Sequence, residues 1–285
     1  MIKKVLFPVD FSVVSEYAFG NCIPRFFSTG VAYELILFHA LDVDLQSPEE
    51  LKVAEQLVER YRNKIEQVSK EFEEMGIKTR GIVRLGTPAL EIAKVAEEED
   101  VDLIYMPMKG ENIFREMLIG STAANVARAA KKPVLLVRYE WDRGKKAVKC
   151  YWDARRVFDR PLIAVDFSPC SDKVVDSTEI YKELVKEAIL LHVVDYGKAS
   201  ETEENIKKAT ENMKRYVERL SFPCEIVVHS GVASKEILMT APAMGATLIV
   251  IGKKGRSIIK ELLMGSTAEI VIRNSVLPVL IVPCE

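Results

Sequence analysis

The chain has 285 residues, of which 48% are hydrophobic and 29% are charged, so it can bury sizeable cores beneath a charged surface. This balance excludes disordered and fibrous classes, and the length predicts one large or two ordinary domains. Lysine and arginine total 40 against 42 acidic residues, so no overall basic field favours nucleic acid as a partner.

The first half of the chain alternates apolar, strand-like runs with helical stretches, the pattern of a parallel sheet flanked by helices. The opening run is too short for a signal-peptide core or a membrane span, so we expect a cytoplasmic protein with no membrane partner. Ser47 and Pro48 predict the start of a long amphipathic helix that ends near Gly76, and Thr87 with Pro88 predicts another. Strands are predicted at residues 5–9, 35–38, 82–83, 103–106 and 134–137.

The segment 138–160 joins the two halves and holds both tryptophans, Trp141 and Trp152, with eight basic against four acidic residues. It lacks the composition of a Gly/Ser linker, so we expect its indoles to pack on one or both domains, with a basic patch for a partner as the alternative. The second half then predicts a helix from Ser168, a shorter helix over 201–220 and a last strand over 279–282. The domains are therefore predicted at residues 1–140 and 159–285, with the connector at 141–158.

Two matching stretches show that the halves are copies of each other. The run that ends in Val-Asp-Phe-Ser at residue 12 recurs at residue 168, and the apolar run that closes on His39 recurs at His192. From residue 83 onward the offset is a constant 145, and nine of 17 positions are identical between 107–123 and 252–268. Unrelated sequences would match at roughly one such position. The chain is therefore an internal duplication.

A glycine-rich loop follows the fourth strand of the second copy. Gly252 and Gly255 are separated by two residues, and nine more residues lead to Gly265 and Ser266. Glycine lets main-chain N–H groups approach a polyphosphate closely, because it has no Cβ. A glycine pair alone is weak evidence, but this one lies at the carboxyl end of a strand, where open parallel sheets bind ligands. The loop therefore predicts a phosphate-binding site.

Five side chains lie where they would complete this site. Ser266 and Thr267 open the last helix, whose unpaired N–H groups and dipole favour an anion, and Lys253 and Lys254 add positive charge. Asp166 ends the first strand of the same copy, where its carboxylate either accepts hydrogen bonds from ribose or base, or caps the next helix.

At these positions both copies resemble universal stress protein domains, many of which bind ATP through the pattern G-2x-G-9x-G-S/T. The resemblance implies two doubly wound α/β domains of the Rossmann-like, adenine-nucleotide alpha-hydrolase type, each with a five-stranded parallel sheet in the order 3-2-1-4-5. It also implies adenine near the ends of strands one and two, with ATP or AMP as the ligand. The implied ligand-binding residues are Ala164, Val165, Asp166, Val193, Ile251, Gly252, Lys253, Lys254, Gly255, Gly265, Ser266 and Thr267.

Universal stress domains commonly dimerise, so the resemblance also implies an intramolecular pseudo-dimer, with a further homodimer as an option. The candidate contacts are the fifth strands, at 134–137 and 279–282, because exposed strand edges need covering.

The first copy departs from the pattern where the loop begins, because Pro107 replaces the first glycine. Proline has no N–H and restricts the residue before it, so this edge of the cradle should change shape and lose a donor. We expect asymmetric occupancy, with a weaker adenosine or monophosphate site in this copy. Its residues are Pro8, Val9, Asp10, Ala40, Met106, Gly110, Gly120, Ser121 and Thr122.

The histidines, two aspartates and the cysteines are expected to have structural roles. His39 and His192 have no Ser or Cys partner at nucleophile spacing. Asp42 and Asp195 follow three residues later, and solvated loop carboxylates or helix caps are favoured there over help with a divalent cation near the phosphates. The cysteines form no CxxC pair and no zinc-ligand pattern, so we expect reduced, mostly buried thiols at Cys22, Cys150, Cys170, Cys224 and Cys284.

The sequence favours a nucleotide-responsive binding protein, with a regulatory or stress-protection role, over an enzyme. It contains no GxxxxGK[ST] loop and no evident general base beside the glycine loop. The alternative is a slow ATPase or nucleotidyl transferase. A scaffold that binds no nucleotide is the third reading, and the complete loop of the second copy argues against it.

Overall fold

The computed structural model describes residues 2–30, 32–43, 47–110, 121–142, 147–150, 152–194, 199–255 and 264–284. The first half contributes strands β1 (Lys4–Pro8), β2 (Glu34–Leu41), β3 (Lys78–Leu85), β4 (Leu103–Gly110), β5 (Val134–Asp142) and β6 (Ala147–Lys149). The second half contributes β7 (Pro161–Val165), β8 (Ala188–Val194), β9 (Cys224–Ser230), β10 (Leu248–Gly252) and β11 (Val279–Val282).

Helices cross over between consecutive strands. Those of the first half are α1 (Val13–Tyr17), a π-helical turn (Ala18–Cys22), α2 (Ile23–Phe27), α3 (Pro48–Glu74), α4 (Pro88–Glu98) and α5 (Ser121–Ala129). Those of the second half are α6 (Pro169–Glu179), a 3-10 turn (Lys182–Leu184), α7 (Ala199–Val217), α8 (Ala233–Ala243) and α9 (Ser266–Asn274).

The strands form one continuous sheet in the order β3-β2-β1-β4-β5-β11-β10-β7-β8-β9, with β6 paired to β5. The five main strands of each half, β1 to β5 and β7 to β11, are parallel to one another and have the predicted order 3-2-1-4-5, which is confirmed. The halves meet where β5 and β11 pair antiparallel, with Leu135 opposite Leu280 and Val134 opposite Ile281. This pairing confirms the predicted contact between the fifth strands and covers both edges.

Both faces of the sheet are buried, which explains why its strands are almost continuously apolar. In β1, Val5 and Phe7 belong to one buried cluster and Leu6 to the other. In β7, Ile163 and Leu162 divide in the same way. Each cluster therefore runs across the two halves and holds them together through apolar contacts.

The helices begin and end near the residues that the sequence predicted. Ser47 and Glu50 form a capping box at the start of α3, with Glu50 N donating to Ser47 Oγ and Ser47 N to Glu50 Oε2. After α3 ends, Gly76 adopts φ +81°, a left-handed conformation that glycine accepts without strain. Thr87 precedes α4 and Ser168 precedes α6, both with proline as the first helical residue.

The connector is ordered structure within its described residues. β6 pairs antiparallel with the end of β5. Trp152 packs against Tyr105 and Tyr139, with ring centroids 6.3 and 6.2 Å away. The predicted packing of the indoles is confirmed for Trp152, whereas the side chain of Trp141 lies outside what the structure describes.

Each half places a cation at the C-terminus of the other half's last helix. Arg138 in β5 is buried and donates to the carbonyl groups of Ile272, Arg273 and Ser275 at the end of α9, at 3.1, 2.9 and 3.2 Å. Lys253, just after β10, directs its Nζ to the carbonyl of Ala130 at the end of α5. Helix C-termini have unpaired carbonyls and a negative dipole end, so both cations stabilise the boundary between the halves.

Candidate functional site

A cavity of about 230 Å³ opens at the carboxyl ends of β7 and β10 in the second half. This is the point where the winding of a doubly wound sheet reverses and where such sheets bind ligands. The structure brings eleven of the sequence-predicted residues into its lining: Ala164, Val165, Asp166, Val193, Ile251, Gly252, Lys254, Gly255, Gly265, Ser266 and Thr267.

The polar end of the cavity is built from the glycine loop and the first turn of α9. A Cβ on Gly255 would lie 2.7 Å from Oδ2 of Asp166, so the main chain there approaches the carboxylate closely. Gly265 precedes α9, and its N–H donates to the carbonyl of Lys253 at 2.9 Å, which ties the two ends of the loop together. Ser266 and Thr267 then present the start of α9 to the cavity. This arrangement of main-chain groups at a helix N-terminus fits an anionic group.

Asp166 connects the first strand of the second half to this polar end. Its Oδ1 accepts hydrogen bonds from Ser168 N at 3.0 Å, from Ser168 Oγ and from Ser171 Oγ at 2.9 Å. The residue between, Phe167, adopts φ +61°, which turns the chain sharply into α6. One carboxylate oxygen therefore holds the turn that leads into α6, while the other lies against Gly255.

The two lysines of the loop have different surroundings. Lys254 lines the cavity, where its ammonium group would favour phosphate. Lys253 is only 4% exposed and directs its side chain to Ala130 of the first half, so the structure does not bring its charge into the cavity. Sequence spacing cannot separate neighbouring lysines at the end of a strand, because their directions depend on the loop that follows.

The opposite end of the cavity is apolar. It is lined by Ala164, Leu191, Val193, Ile237 and Ile251, together with Val174 from α6. Leu191 and Ile237 were not among the predicted residues. Their signal was the burial expected of strand β8 and of the apolar stripe of α8. Apolar lining residues beside a polar end fit a heterocycle that carries a charged group.

The histidines have the structural role that the sequence favoured. His192 Nδ1 donates to the carbonyl of Val165 at 2.8 Å, and His39 Nδ1 donates to the carbonyl of Val9 at 2.7 Å. Burial lowers the pKa of His39, which keeps its imidazole neutral. Each ring ties the second strand of its half to the end of the first strand. Of the two aspartates considered for a cation, Asp195 lies outside the described residues.

The expectation of reduced thiols is wrong for two of the five cysteines. Cys170, in the first turn of α6, and Cys284, after β11, form a disulfide with their Cα atoms 4.8 Å apart. Cys22, Cys150 and Cys224 are not bonded to another cysteine. Sequence spacing could not predict this pair, because 114 residues separate the two cysteines. The parallel order of the sheet brings them together. Cys170 also lines the cavity.

A smaller cavity of about 140 Å³ occupies the equivalent place in the first half. Its lining includes six of the predicted residues: Pro8, Val9, Asp10, Ala40, Met106 and Thr122. Pro107 also lines it, at the position of Gly252. Ser121 begins α5 but is not part of the lining, Gly110 ends β4, and Gly120 lies outside the described residues. Among the described lining residues, Pro107 has no main-chain N–H where Gly252 of the second half has one.

No helix in the described parts of the chain is both long and apolar enough to pass through a membrane.

The model of the universal stress protein family matches the chain twice, at residues 1–138 and 158–283. Universal stress protein MJ0577 of Methanocaldococcus jannaschii is 36% identical over 157 residues, which cover 48% of this chain and 96% of that protein. Universal stress protein YxiE of Bacillus subtilis is 31% identical over 147 residues, covering 44% of this chain and 99% of that protein.

The crystal structure of a universal stress protein from Archaeoglobus fulgidus covers 99% of this chain and 98% of its own, with a TM-score of 0.74 and 23% identity. The fold is therefore shared over both halves. Two family matches in one chain also agree with the internal duplication. This chain belongs to the universal stress protein family and carries two of its domains.

Proposed function

We propose that the second half binds an adenine nucleotide, ATP or AMP, and that its occupancy regulates the affinity of the protein for a partner in a stress response. The observation that carries the proposal is one cavity that joins a glycine loop, a helix N-terminus and an apolar recess. The loop and helix provide main-chain donors for phosphate, and the recess provides a surface for the base.

Each part of the cavity has its own task in this proposal. The main chain from Gly252 to Gly255 and the first turn of α9 hold phosphate oxygens, with Lys254 adding charge. Ala164, Val193 and Ile251 border the base. Asp166 positions Gly255 and the start of α6, so its substitution would loosen both sides of the site.

The proposal assigns the first half a weaker adenosine or monophosphate site. Pro107 occupies the position of Gly252, where glycine lets the main chain approach a phosphate. Proline has no N–H to donate to that phosphate. The cavity there keeps the apolar residues Val9, Ala40 and Met106, which suit a base better than a chain of phosphates.

The proposal favours binding over catalysis. Asp166 is the carboxylate among the described lining residues of the second cavity, and its Oδ1 already accepts hydrogen bonds from Ser168 and Ser171. A general base for water or a nucleophile needs a carboxylate or imidazole in reach of the substrate. A slow ATPase or nucleotidyl transferase remains the alternative, and hydrolysis above background that disappears in Asp166→Ala would favour it.

We further propose that the paired halves form an intramolecular pseudo-dimer, because the equivalent strands β5 and β11 pair antiparallel. A cytoplasmic location stays a prediction from the sequence. A further homodimer would have to use other surfaces, since this pairing covers both fifth strands.

Isothermal titration with ATP and AMP, with and without Mg²⁺, tests the proposal. We expect one tight site per chain and a tenfold or greater loss of affinity in Gly255→Ala, whose Cβ would meet Asp166. Gly20→Ala is the matched control, because a Cβ there meets nothing within 4 Å. Absence of binding overturns the proposed function, and two sites of equal affinity overturn the asymmetry. Mass spectrometry of the purified protein identifies any nucleotide that it retains.

A further inference from the structure

The disulfide between Cys170 and Cys284 lies at the wall of the second cavity. Cys170 is the second residue of α6, is 6% exposed and lines the cavity. Cys284 follows β11 and is partly exposed. The bond therefore has one sulfur beside the candidate ligand and the other in reach of solvent.

The same disulfide contacts the entry of the glycine loop at two points. A Cβ on Gly252 would lie 2.4 Å from Sγ of Cys170, so the main chain of the loop packs directly on the sulfur. The N–H of Lys254 donates to Sγ of Cys284 at 3.3 Å. The position of the sulfurs therefore fixes the path of the loop between these residues.

The first half provides an internal comparison. Ser15 and Ser171 each accept a hydrogen bond from the aspartate N–H at the end of the first strand, which aligns α1 with α6. In this alignment Val14 occupies the place of Cys170, and the constant offset of 145 puts Tyr139 in the place of Cys284. The disulfide accordingly accompanies the glycine loop and is replaced where proline interrupts that loop.

We propose that Cys170 and Cys284 form a reversible thiol–disulfide site, reduced by a dithiol, whose oxidation state sets the affinity of the second cavity for nucleotide. The affinity part rests on the proposed function, whereas the redox part does not. In a reducing compartment, protein disulfides are commonly transient or redox-sensing, which fits a bond placed against a binding loop.

The exchange proceeds in two balanced steps. A thiolate of the dithiol attacks Sγ of Cys284, the more exposed of the two residues, and the sulfur–sulfur bond breaks with Cys170 leaving as a thiolate. The N-terminus of α6 stabilises that thiolate. The second thiol of the dithiol, as its thiolate, then attacks the dithiol sulfur that is bonded to Cys284. The mixed disulfide breaks and Cys284 leaves as a thiolate. Two electrons have passed to the protein, the dithiol has become a cyclic disulfide, and the released thiolates take up protons from water.

The oxidised form is the one that binds nucleotide better. After reduction the sulfurs can no longer share a covalent bond and must move apart. Because Gly252 packs against Cys170 on one side and the cavity lies on the other, this movement displaces the loop or narrows the cavity. Coupling is reciprocal, so a bound nucleotide protects the disulfide by the same factor.

A redox titration tests the site without reference to nucleotide. The full-length protein is equilibrated with reduced and oxidised dithiothreitol in varied ratio, alkylated and read by peptide mass spectrometry. We expect a two-electron transition in which Cys170 and Cys284 become labelled together while the circular dichroism spectrum stays native. Free thiols at both positions in the oxidised protein, or opening only in denaturant, would overturn the proposal.

ATP titrations of the oxidised and reduced protein test the coupling. We expect at least about fivefold weaker binding after reduction. The double variant Cys170→Ser, Cys284→Ser should bind like the reduced protein and ignore dithiothreitol, whereas Cys22→Ser, Cys150→Ser should respond like the wild type. Equal affinity in the two states, or a response that persists in the first variant, refutes the coupling. Absence of ATP binding in both states overturns the proposed function and the coupling of affinity to the disulfide. The redox titration still tests whether the disulfide is reversible.

Discussion

Lys253 of the second half donates to the carbonyl of Ala130 of the first half, with Nζ 3.4 Å from the oxygen. The ammonium is buried in that contact at the C-terminus of α5, whereas Lys254 lines the cavity. Two adjacent lysines of one loop therefore serve different neighbours.

This division predicts unequal effects on nucleotide affinity. Lys254→Met should weaken ATP binding by at least about tenfold, because a charged contact with phosphate contributes about 1.5–3 kcal/mol. Lys253→Met should change the affinity by no more than about threefold, since methionine keeps the apolar stem and stands at the equivalent position, Met108, in the first half. Titration calorimetry on both variants measures the difference. Equal losses would mean that Lys253 reaches the ligand.

Gly252→Ala should destabilise the protein and weaken nucleotide binding together. The added Cβ would lie 2.4 Å from Sγ of Cys170 and 3.1 Å from the carbonyl oxygen of Lys254. Such overpacking costs about 1–3 kcal/mol. Urea denaturation followed by circular dichroism gives the free energy of unfolding. A variant as stable as the wild type would show that the loop can move away from the disulfide without cost.

Arg138→Met should lower the free energy of unfolding by about 2–3 kcal/mol, because it leaves buried carbonyls at the end of α9 without their donor. Arg155→Met is the matched control. Arg155 is exposed and pairs with Asp153, so its loss should cost less than about 0.5 kcal/mol. Similar midpoints for the two variants in thermal denaturation would contradict a role for Arg138 at the boundary between the halves.

Glu34 should make stability depend on pH in the acid range. Hydrogen bonds from Lys78 and Arg80 lower the pKa of this largely buried carboxyl, so its contribution is complete above the unfolded pKa of about 4.3 and is lost as the pH falls through the lower folded value. Glu34→Gln should therefore cost about 1 kcal/mol at pH 7 and progressively less below pH 4. Glu66→Gln, which removes an exposed pair with Lys70, is the control and should change little at either pH. A Glu34→Gln deficit that stays constant down to pH 2 would exclude the ionised carboxylate as its cause.

The parts of the fold that the sequence predicts are those encoded locally. Continuous apolar runs identify strands buried on both faces. Ser47 marks the start of α3 through its capping hydrogen bond, and Pro88 after Thr87 marks the start of α4 through its fixed φ. The duplication repeats the strand signals in the second half. The lining of the cavity follows from these, because the carboxyl ends of parallel strands meet at one edge.

The parts that the sequence does not predict depend on contacts between distant segments. The bond between Cys170 and Cys284 requires α6 and the end of β11 to be neighbours. The direction of Lys253 requires the second half to be docked on α5 of the first. Sequence spacing is silent on both, because each is decided by the packing of the two halves and of the sheet.

The antiparallel pairing of β5 and β11 also determines where the two cavities lie relative to each other. Because β1 to β5 run opposite to β7 to β11, the carboxyl ends that form the two cavities lie at opposite edges of the sheet. A single small molecule cannot reach across from one to the other. Each cavity instead lies at the edge of the sheet where the strands of the other half begin, so the two candidate sites open on opposite edges of the same sheet.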